Sequence, residues 1–241
     1  MATPLTYLDV HALFVVPALV ALAIAVRWRR HEVDARVAGV GLVVLTGLAV
    51  AYTTPWDSLL IARGVWWYGD GRVAGRLFGV PAGEFLFFAL QPILTLLWTV
   101  LVAGSVVEGV RHSRRDRVLG AAAGIAISLV GLALLRDAST LYLGAILAWG
   151  GPVLALQWAV GWRYLLRVRA RLALAVGVPT GYLWVVDRYA IDRGVWVISD
   201  TYTTGYAVAG LPVEEMLFFL VTNCFLVQGL LLLRWVVHRW Q

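Results

Sequence analysis

The chain of 241 residues has no lysine and a single cysteine, Cys224. One cysteine excludes an intramolecular disulfide. Without lysine there is no residue to form a Schiff base with retinal, which excludes a retinal photoreceptor. The sequence also lacks a GxGxxG motif after a strand, a P-loop and any Cys/His cluster with metal-ligand spacing. We therefore expect no flavin, NAD(P)H or metal cofactor.

Charged residues are also scarce. Only 14% of the chain is charged, 61% is hydrophobic, and the mean hydropathy is +0.81. These values predict an all-α integral membrane protein. Seven apolar segments are predicted to cross the bilayer, although some lie near the lower length limit; they span 10–26, 37–52, 81–107, 118–135, 141–161, 172–186 and 212–237.

The 20 basic residues other than histidine are all arginine, and most of them follow the odd-numbered segments. Fourteen lie on one side of the predicted membrane: Arg27, Arg29, Arg30, Arg36, Arg111, Arg114, Arg115, Arg117, Arg163, Arg167, Arg169, Arg171, Arg234 and Arg239. The positive-inside rule makes that side cytoplasmic, which predicts a multi-pass protein of the cell membrane with its N-terminus outside and its C-terminus inside. The net charge of +6 then reflects membrane orientation, and we expect no nucleic-acid partner.

A motif of the form PxxExxFF occurs twice, beginning at Pro81 and at Pro212. Each copy follows a segment in which an aspartate is followed, six residues later, by Arg-Gly-Val-Trp; these segments are 57–66 and 187–196. The segments and the motifs recur at almost the same offset along the chain, with a single extra residue in the second copy. The repeated unit is therefore much longer than the motif itself.

The repeat predicts the organisation of the domains. An offset of four spans preserves the direction of each helix, so the copies are expected to be parallel repeats related by an axis along the membrane normal. We predict a first three-helix repeat at 1–110, a linker span within 111–138 and a second three-helix repeat at 139–241. Both PxxE motifs then lie at the same depth.

The two outer connections, 54–80 and 187–211, have residue patterns typical of strands and turns. We predict a short hairpin in each, folded over the outer mouth as a lid. Structural ion pairs that orient these lids are expected from the repeat: Asp57 with Arg63, and Asp187 with Arg193.

The carboxyl groups of the two motifs suggest acid–base chemistry. Glu84, Glu214 and Glu215 open apolar spans, where loss of water disfavours the charged form of a carboxyl and lets it act as an acid. Aromatic residues surround them in the sequence, and ring faces can stabilise a carbocation without reacting with it. The residues expected to support this site or line its substrate pocket are Asp57, Asp187, Arg63, Arg193, Trp66, Trp196, Phe88 and Phe219.

Over nearly its whole length, the chain resembles the small, flavin-independent integral-membrane lycopene cyclases. The residues that carry the resemblance are the PxxE and PxEE motifs, each followed by Phe-Phe and preceded by Asp…Gly-Val-Trp. It implies a non-redox isomerase that folds the linear ψ-ends of lycopene into rings and gives β-carotene. It also implies that Glu84, Glu215 and Glu214 form the acid–base set, that lycopene is the lipophilic partner, and that membrane lipid surrounds the protein. The first motif departs from the second at Gly83, where the second has Glu214.

Alternatives remain open at this stage. A glutamate in a first helical turn is also an ordinary cap, so the motif carboxyls could be structural. A transporter with two three-helix repeats is the second functional hypothesis, although its path should carry polar residues near mid-bilayer on several helices. The sequence also leaves open the ring type (β, ε or γ), the number of ends cyclised and whether the chain forms homo-oligomers.

Overall fold

The chain folds mainly into long helices. The computed structural model describes residues 4–29, 35–77 and 79–240; Arg30 of the first arginine cluster lies outside them. The first apolar rod consists of α1 (Tyr7–Val10), a π-helical turn (His11–Val15) and α2 (Val16–Trp28). The other helices are α3 (Ala35–Arg63), α4 (Ala82–Val102), α5 (Arg114–Leu134), a 3₁₀ turn (Ala138–Thr140), α6 (Leu141–Arg167), α7 (Arg169–Asp192) and α8 (Val213–Trp240).

The helices identify an integral membrane protein. Within the described residues, six of them are long and apolar enough to cross a bilayer: Tyr7–Trp28, Arg36–Arg63, Ala82–Val102, Arg114–Leu134, Ala138–Arg167 and Val213–Trp240. Helix α7 has 24 residues but is more polar, and it carries the predicted sixth span. The all-α membrane class predicted from the sequence is confirmed at this level.

Helix α3 extends further than predicted. The sequence places residues 54–63 in the first outer connection, but they form the last turns of α3; in the same way residues 187–192 end α7. The prediction ends these spans early because proline and aspartate, such as Pro55 and Asp57, are uncommon inside them. The helix continues because Asp57 faces protein and not lipid, with only 3% of its surface exposed.

Glycine ends both helices at the positions that the repeat shares. Gly64 (φ +76°) follows α3 and Gly194 (φ +64°) follows α7. In each case the glycine N–H and the following valine N–H return to carbonyls of the last helical turn. Glycine readily adopts this left-handed backbone conformation, which turns the chain sharply across the end of the bundle.

Six short strands cover this end of the bundle. They are β1 (Trp66–Tyr68), β2 (Arg76–Leu77), β3 (Val80–Pro81), β4 (Trp196–Ile198), β5 (Ala207–Val208) and β6 (Leu211–Pro212). Each connection contains a hairpin, formed by β2 with β3 and by β5 with β6, but the Gly-Val-Trp segments that the sequence suggested as hairpin strands are not part of it. The two Gly-Val-Trp segments lead into β1 and β4, and these strands form a pairing that was not predicted. They are antiparallel, with Tyr68 opposite Trp196. We call β1 and β4 the strap.

Helices α4 and α8 lie at the centre of the bundle and contact each other. Helix α4 also packs against α2, α3 and α7, and α8 packs against α3, α6 and α7. Helix α5 lies along α6, where glycine permits very close approach: a Cβ atom at Gly124 would lie 2.2 Å from the Ala155 nitrogen. The two central helices therefore bring the starts of both PxxE motifs together under the strap.

A second set of buried polar side chains joins α4, α7 and α8 within the bundle. The Asn223 side-chain oxygen accepts hydrogen bonds from Gln91 (2.7 Å) and Thr95 (2.6 Å). The Asn223 amide nitrogen donates to the Thr180 hydroxyl at 2.9 Å. We call these four residues the amide network. Hydrogen bonds between membrane helices of this kind hold the helices in register.

Candidate active site

A small cavity of about 60 Å³ lies under the strap, where α3, α4, α7 and α8 meet. Four carboxyl groups line it, one from each helix: Asp57, Glu84, Asp187 and Glu215. All four are buried. We call this arrangement the carboxyl pocket. The repeat explains it, since the last turns of α3 and α7 and the first turns of α4 and α8 are equivalent positions.

Glu84 is held by a phenol group. The Tyr68 hydroxyl donates to Glu84 Oε1 at 2.5 Å and accepts from Trp66 Nε1 at 3.2 Å. The Tyr7 ring lines the same cavity. Burial, together with the charge of the nearby Glu84 carboxylate, raises the pKa of Tyr68 far above its usual value, so this hydroxyl keeps its proton and acts as a donor.

The other three carboxyls have fewer partners. Tyr142 lines the cavity together with Glu215, and Tyr7 together with Glu84. Trp196 Nε1 donates to Asp187 Oδ1 at 2.9 Å. Asp57 Oδ2 and Asp187 Oδ2 are buried and have no hydrogen-bond partner among the described residues. The pocket thus keeps unpaired carboxyl oxygens in a place with little access to water.

Glu214 lies outside the carboxyl pocket, although the sequence groups it with Glu84 and Glu215. It is completely buried, and its Oε1 accepts hydrogen bonds at 2.7 Å from both the backbone N–H and the hydroxyl of Thr204. Gly83 occupies the equivalent position in the first motif, where a Cβ atom would lie 2.6 Å from the Tyr7 ring. Close packing of Tyr7 therefore accounts for glycine in the first motif.

The predicted ion pairs are not present in the structure. Among the described residues, Arg63 and Arg193 form no ion pair with Asp57 or Asp187: both arginines are exposed, and Arg193 lies 5.0 Å over the ring of Tyr189. The pattern was misleading because Asp57 and Arg63 are six residues apart on one helix, which places them on different faces. The described residues that line the pocket include no arginine.

The predicted aromatic residues do line the pocket. Trp66 and Trp196 come from the strap, and Phe88 and Phe219 come from the two motifs. Two further motif residues, Phe87 and Phe218, also line it. The Phe87 and Phe219 rings meet edge to face with centroids 6.0 Å apart. These rings line the same cavity as the carboxyls, and their faces can stabilise a cation formed there.

Three residues are absent from the predicted site: Tyr7 and Tyr142, which line the cavity, and Tyr68, which donates to Glu84. For His11 the sequence leaves open a polar residue at the end of a span or a member of the site, and the structure places it in the cavity lining. A signal for two of the tyrosines exists in the repeat. The spacing between Tyr7 and Tyr142 equals the spacing between Pro17 and Pro152, which aligns the first helix of each repeat. Tyr68 has no such signal, because the equivalent residue of the second repeat is Ile198.

An apolar groove adjoins the carboxyl pocket. It has a volume of about 510 Å³, runs between α3, α4, α6 and α8, and is lined almost entirely by aliphatic and aromatic side chains. Phe87, Phe88 and Phe218 line both the groove and the carboxyl pocket. A long hydrocarbon could lie in the groove with one end against the carboxyl groups, because these three rings form the shared wall.

Comparisons with known proteins agree with this site. The family model described as lycopene cyclase matches residues 6–102 and 139–233. A lycopene beta-cyclase of Halobacterium salinarum is 52% identical over 238 residues, covering 98% of this chain and 99% of that protein. A bifunctional lycopene cyclase/phytoene synthase of Arthroderma gypseum is 36% identical, covering 94% of this chain but 41% of the fungal protein. A second such protein, from Gibberella fujikuroi, is 34% identical and is covered over 39% of its length.

No solved structure matches the chain. The family model covers most of the chain in two segments, which fits the internal repeat, and the Halobacterium relative covers nearly all of it. The resemblance carried by the two PxxE motifs is therefore confirmed, and the chain belongs to the lycopene cyclase family.

Proposed function

We propose that this protein is a lycopene β-cyclase, which converts the linear ψ-ends of lycopene to β-rings by acid–base catalysis in the carboxyl pocket. The observation that carries the mechanism is the meeting of four buried carboxyls in an aromatic cavity beside an apolar groove. The identity to the Halobacterium enzyme supports the choice of substrate and ring type.

The carboxyl pocket is suited to hold protons. Four neighbouring carboxyls with little water and no arginine partner cannot all be charged at modest cost, so they share protons as one set. Glu84 and Glu215 occupy the position that both motifs keep, and we assign them the transfer of the proton. Asp57 and Asp187 share protons with them, and the hydrogen bond from Tyr68 fixes the Glu84 carboxyl in place.

The reaction then runs in three steps. A carboxyl proton adds to the terminal double bond of the polyene and leaves a tertiary cation. The neighbouring double bond attacks this cation, which closes the six-membered ring and moves the positive charge onto a ring carbon. Loss of a ring proton forms the ring double bond. One proton is gained and one is lost, so the reaction is a redox-neutral isomerisation and needs no flavin or NAD(P)H.

The groove is the proposed site for the polyene chain. The carboxyl cavity is well below the roughly 300–1,000 Å³ of ordinary ligand pockets. The end of the substrate must therefore displace the shared rings of Phe87, Phe88 and Phe218 to reach the carboxyls. These rings then lie against the end that becomes cationic, where their faces stabilise it.

Glu214 receives a structural role in this proposal. Its Oε1 holds the loop at Thr204 and its side chain does not line the pocket. It directly precedes Glu215 in α8. We expect Glu214 to support Glu215 and not to contact the polyene.

The architecture proposed is two parallel three-helix repeats, 1–110 and 139–241, with α5 as a linker span, giving seven spans in all. Matched contacts support this: Tyr52 donates to the Trp149 carbonyl at 2.9 Å, and Tyr182, its equivalent in the second repeat, donates to the Phe14 carbonyl at 2.7 Å. The arginine distribution supports an N-terminus outside and a C-terminus in the cytoplasm. Labelling of a cysteine placed at 111–117 from the outer side of intact cells would contradict this orientation.

Expression in cells that accumulate lycopene, followed by pigment chromatography, tests the proposed activity. We expect β-carotene to form at the expense of lycopene, and purified protein in lipid to do the same without flavin or NAD(P)H. The Glu84→Gln variant is the matched control for a site-dependent reaction. Unchanged lycopene in cells that contain well-folded wild-type protein would refute the proposal.

A further inference from the structure

His11 is a buried residue of the carboxyl pocket with a free ring nitrogen. Only 2% of its surface is exposed, and it lines the cavity with Tyr7 and Phe87. Its Nδ1 lies 2.8 Å from the Tyr7 carbonyl oxygen, whereas its Nε2 is buried and has no hydrogen-bond partner in the part of the chain that the structure describes. The acid–base chemistry described above does not use this residue.

The contact to Tyr7 fixes the tautomer of His11. A carbonyl oxygen can only accept a hydrogen bond, so Nδ1 carries the proton and donates it. In a neutral imidazole the other nitrogen is then unprotonated, and Nε2 has a lone pair available as a base. The histidine is thus held in the form that can take up a proton.

The local backbone also sets His11 apart. It begins a five-residue π-helical turn, His11–Val15, inside the first apolar rod. Turns of this kind are rare and frequently occur at functional sites. In the alignment that matches Tyr7 with Tyr142, the equivalent of His11 is Ile146, which lies in a regular α-helix. The histidine and its backbone distortion therefore belong to one half of the molecule only.

We propose that His11 Nε2 is the general base that removes the ring proton in the last step of cyclisation; this rests on the proposed cyclase activity. The C–H bond next to the cationic carbon breaks, its electron pair becomes the ring double bond, and the proton bonds to Nε2. The imidazolium then returns that proton to the carboxylate that protonated the polyene. Both groups regain their starting forms, and the reaction remains redox-neutral.

The position of His11 separates the base from the acid. Glu84 enters the cavity from α4, whereas His11 enters it from the first apolar rod, where its ring centroid lies 4.9 Å from that of Tyr7. The acid and the base can then reach the forming ring from different directions. A fixed base also selects which proton leaves. Loss of the proton on the carbon that formed the new bond gives a β-ring. Loss from the ring CH₂ gives an ε-ring, and loss from the methyl group gives a γ-ring.

The test compares wild type, His11→Gln and Glu84→Gln, each purified in lipid and incubated with lycopene in D₂O. Glutamine can still donate to the Tyr7 carbonyl but is not a base at neutral pH. We expect His11→Gln to lose about a hundredfold in cyclisation rate. In His11→Gln the substrate cation can still form but cannot lose the proton whose removal gives a β-ring. We therefore expect deuterium in the recovered lycopene, or products with ε- and γ-rings. Glu84→Gln should give neither.

His112→Gln is the matched control, because His112 also contacts a backbone carbonyl, Ala159 O at 3.0 Å, but lies away from the carboxyl pocket. We expect it to cyclise normally. His11→Leu, which resembles Ile146, is a second variant if His11→Gln folds poorly.

Two results would overturn the assignment of His11. One is β-ring formation at about the wild-type rate by folded His11→Gln or His11→Leu. The other is loss of cyclisation with neither deuterium in the lycopene nor altered rings, because His11 would then act before or during protonation. If the wild type itself forms no rings, the proposed cyclase activity fails, which is a separate outcome.

Discussion

The carboxyl pocket and the amide network are both sets of polar side chains buried among membrane helices, but they differ in how their atoms are paired. Asn223, Gln91, Thr95 and Thr180 have no buried side-chain nitrogen or oxygen without a partner. In the carboxyl pocket, Asp57, Asp187 and His11 each have one. The two sets share α4, α7 and α8, so the contrast does not come from different helices.

This difference in hydrogen bonding suggests that one set of residues stabilises the fold and the other takes part in the reaction. A buried polar atom without a partner costs about 1–3 kcal/mol, whereas a paired one is close to neutral or stabilising. The amide network therefore has the character of a structural joint between helices. The carboxyl pocket carries a cost in stability, which is typical of groups that must gain and lose protons. Removing groups from the pocket should impair activity more than folding, and removing groups from the network should do the reverse.

The largest effect is expected from Glu84→Gln and Glu215→Gln, tested singly. Glutamine keeps the shape and the hydrogen bonds of the side chain but cannot deliver a proton to an alkene. Because general acid–base groups contribute about a hundred- to ten-thousand-fold, conversion of lycopene should nearly disappear. Pigment chromatography of lycopene-producing cells measures it, with membrane insertion checked on the same cells. Glu214→Gln is the control, and we expect it to keep most of the activity because Glu214 lies outside the pocket.

Asp57→Asn should have the next largest effect. If Asp57 shares protons with Glu84 and Glu215, the variant should lose about a hundredfold in cyclisation rate, at the lower end of the range for acid–base groups. Arg63→Gln is the control for a role in the lid and should stay within about twofold, as expected for an exposed side chain. Equal losses in both variants would restore the hypothesis that Asp57 and Arg63 act as a pair.

Tyr68→Phe should have a moderate effect. The variant removes the hydroxyl that donates to Glu84 at 2.5 Å and leaves Trp66 Nε1 without its acceptor. Loss of one hydrogen bond to a carboxyl of about 1.5 kcal/mol corresponds to roughly a tenfold slower reaction. Initial rates with purified protein measure it. A rate equal to the wild type would mean that Glu84 does not need the hydrogen bond from Tyr68 for catalysis.

Asn223→Leu should have the smallest effect on the chemistry and a clear effect on stability. It leaves Gln91, Thr95 and Thr180 without their shared partner, which we expect to cost about 1–2 kcal/mol of unfolding free energy. Thermal unfolding in detergent measures this, and the cyclisation rate at low temperature should stay close to the wild-type value. Cys224→Ala, next to Asn223 but outside the network, is the control. A lost rate with unchanged stability would mean that the network takes part in catalysis.

The repeat explains how far the sequence could predict the site. Matched PxxE motifs and matched Gly-Val-Trp segments indicated that Glu84 and Glu215 lie together behind aromatic residues, and the structure places them so. Local sequence could not predict the pairing of β1 with β4, because the partners lie in different repeats, far apart along the chain, and each strand is very short. Such a short strand shows too little alternation of apolar and polar side chains to predict which strand it pairs with.

Other errors concern charged residues, because the sequence shows their order along the chain but not which part of the helix bundle they face. The sequence places Asp57 in a lid because an aspartate is costly in a membrane helix, yet the cost is acceptable where it faces a protein cavity. Glu214 is grouped with Glu84 and Glu215 because the family resemblance implies it, although Glu214 and Glu215 are adjacent on a helix and so point about 100° apart. The phenols of Tyr7 and Tyr142 needed the alignment of the first helix of each repeat, which is weaker than that of the motifs.

The most direct test of the account is the Glu84→Gln/Glu215→Gln double variant, with cyclisation rate and thermal unfolding measured on the same preparation. We predict a protein as stable as the wild type or more so, since two carboxyls leave a crowded pocket, and cyclisation reduced at least about a hundredfold. Near-normal cyclisation by the folded double variant would contradict the account, because the proton would then have to come from Asp57, Asp187 or Glu214.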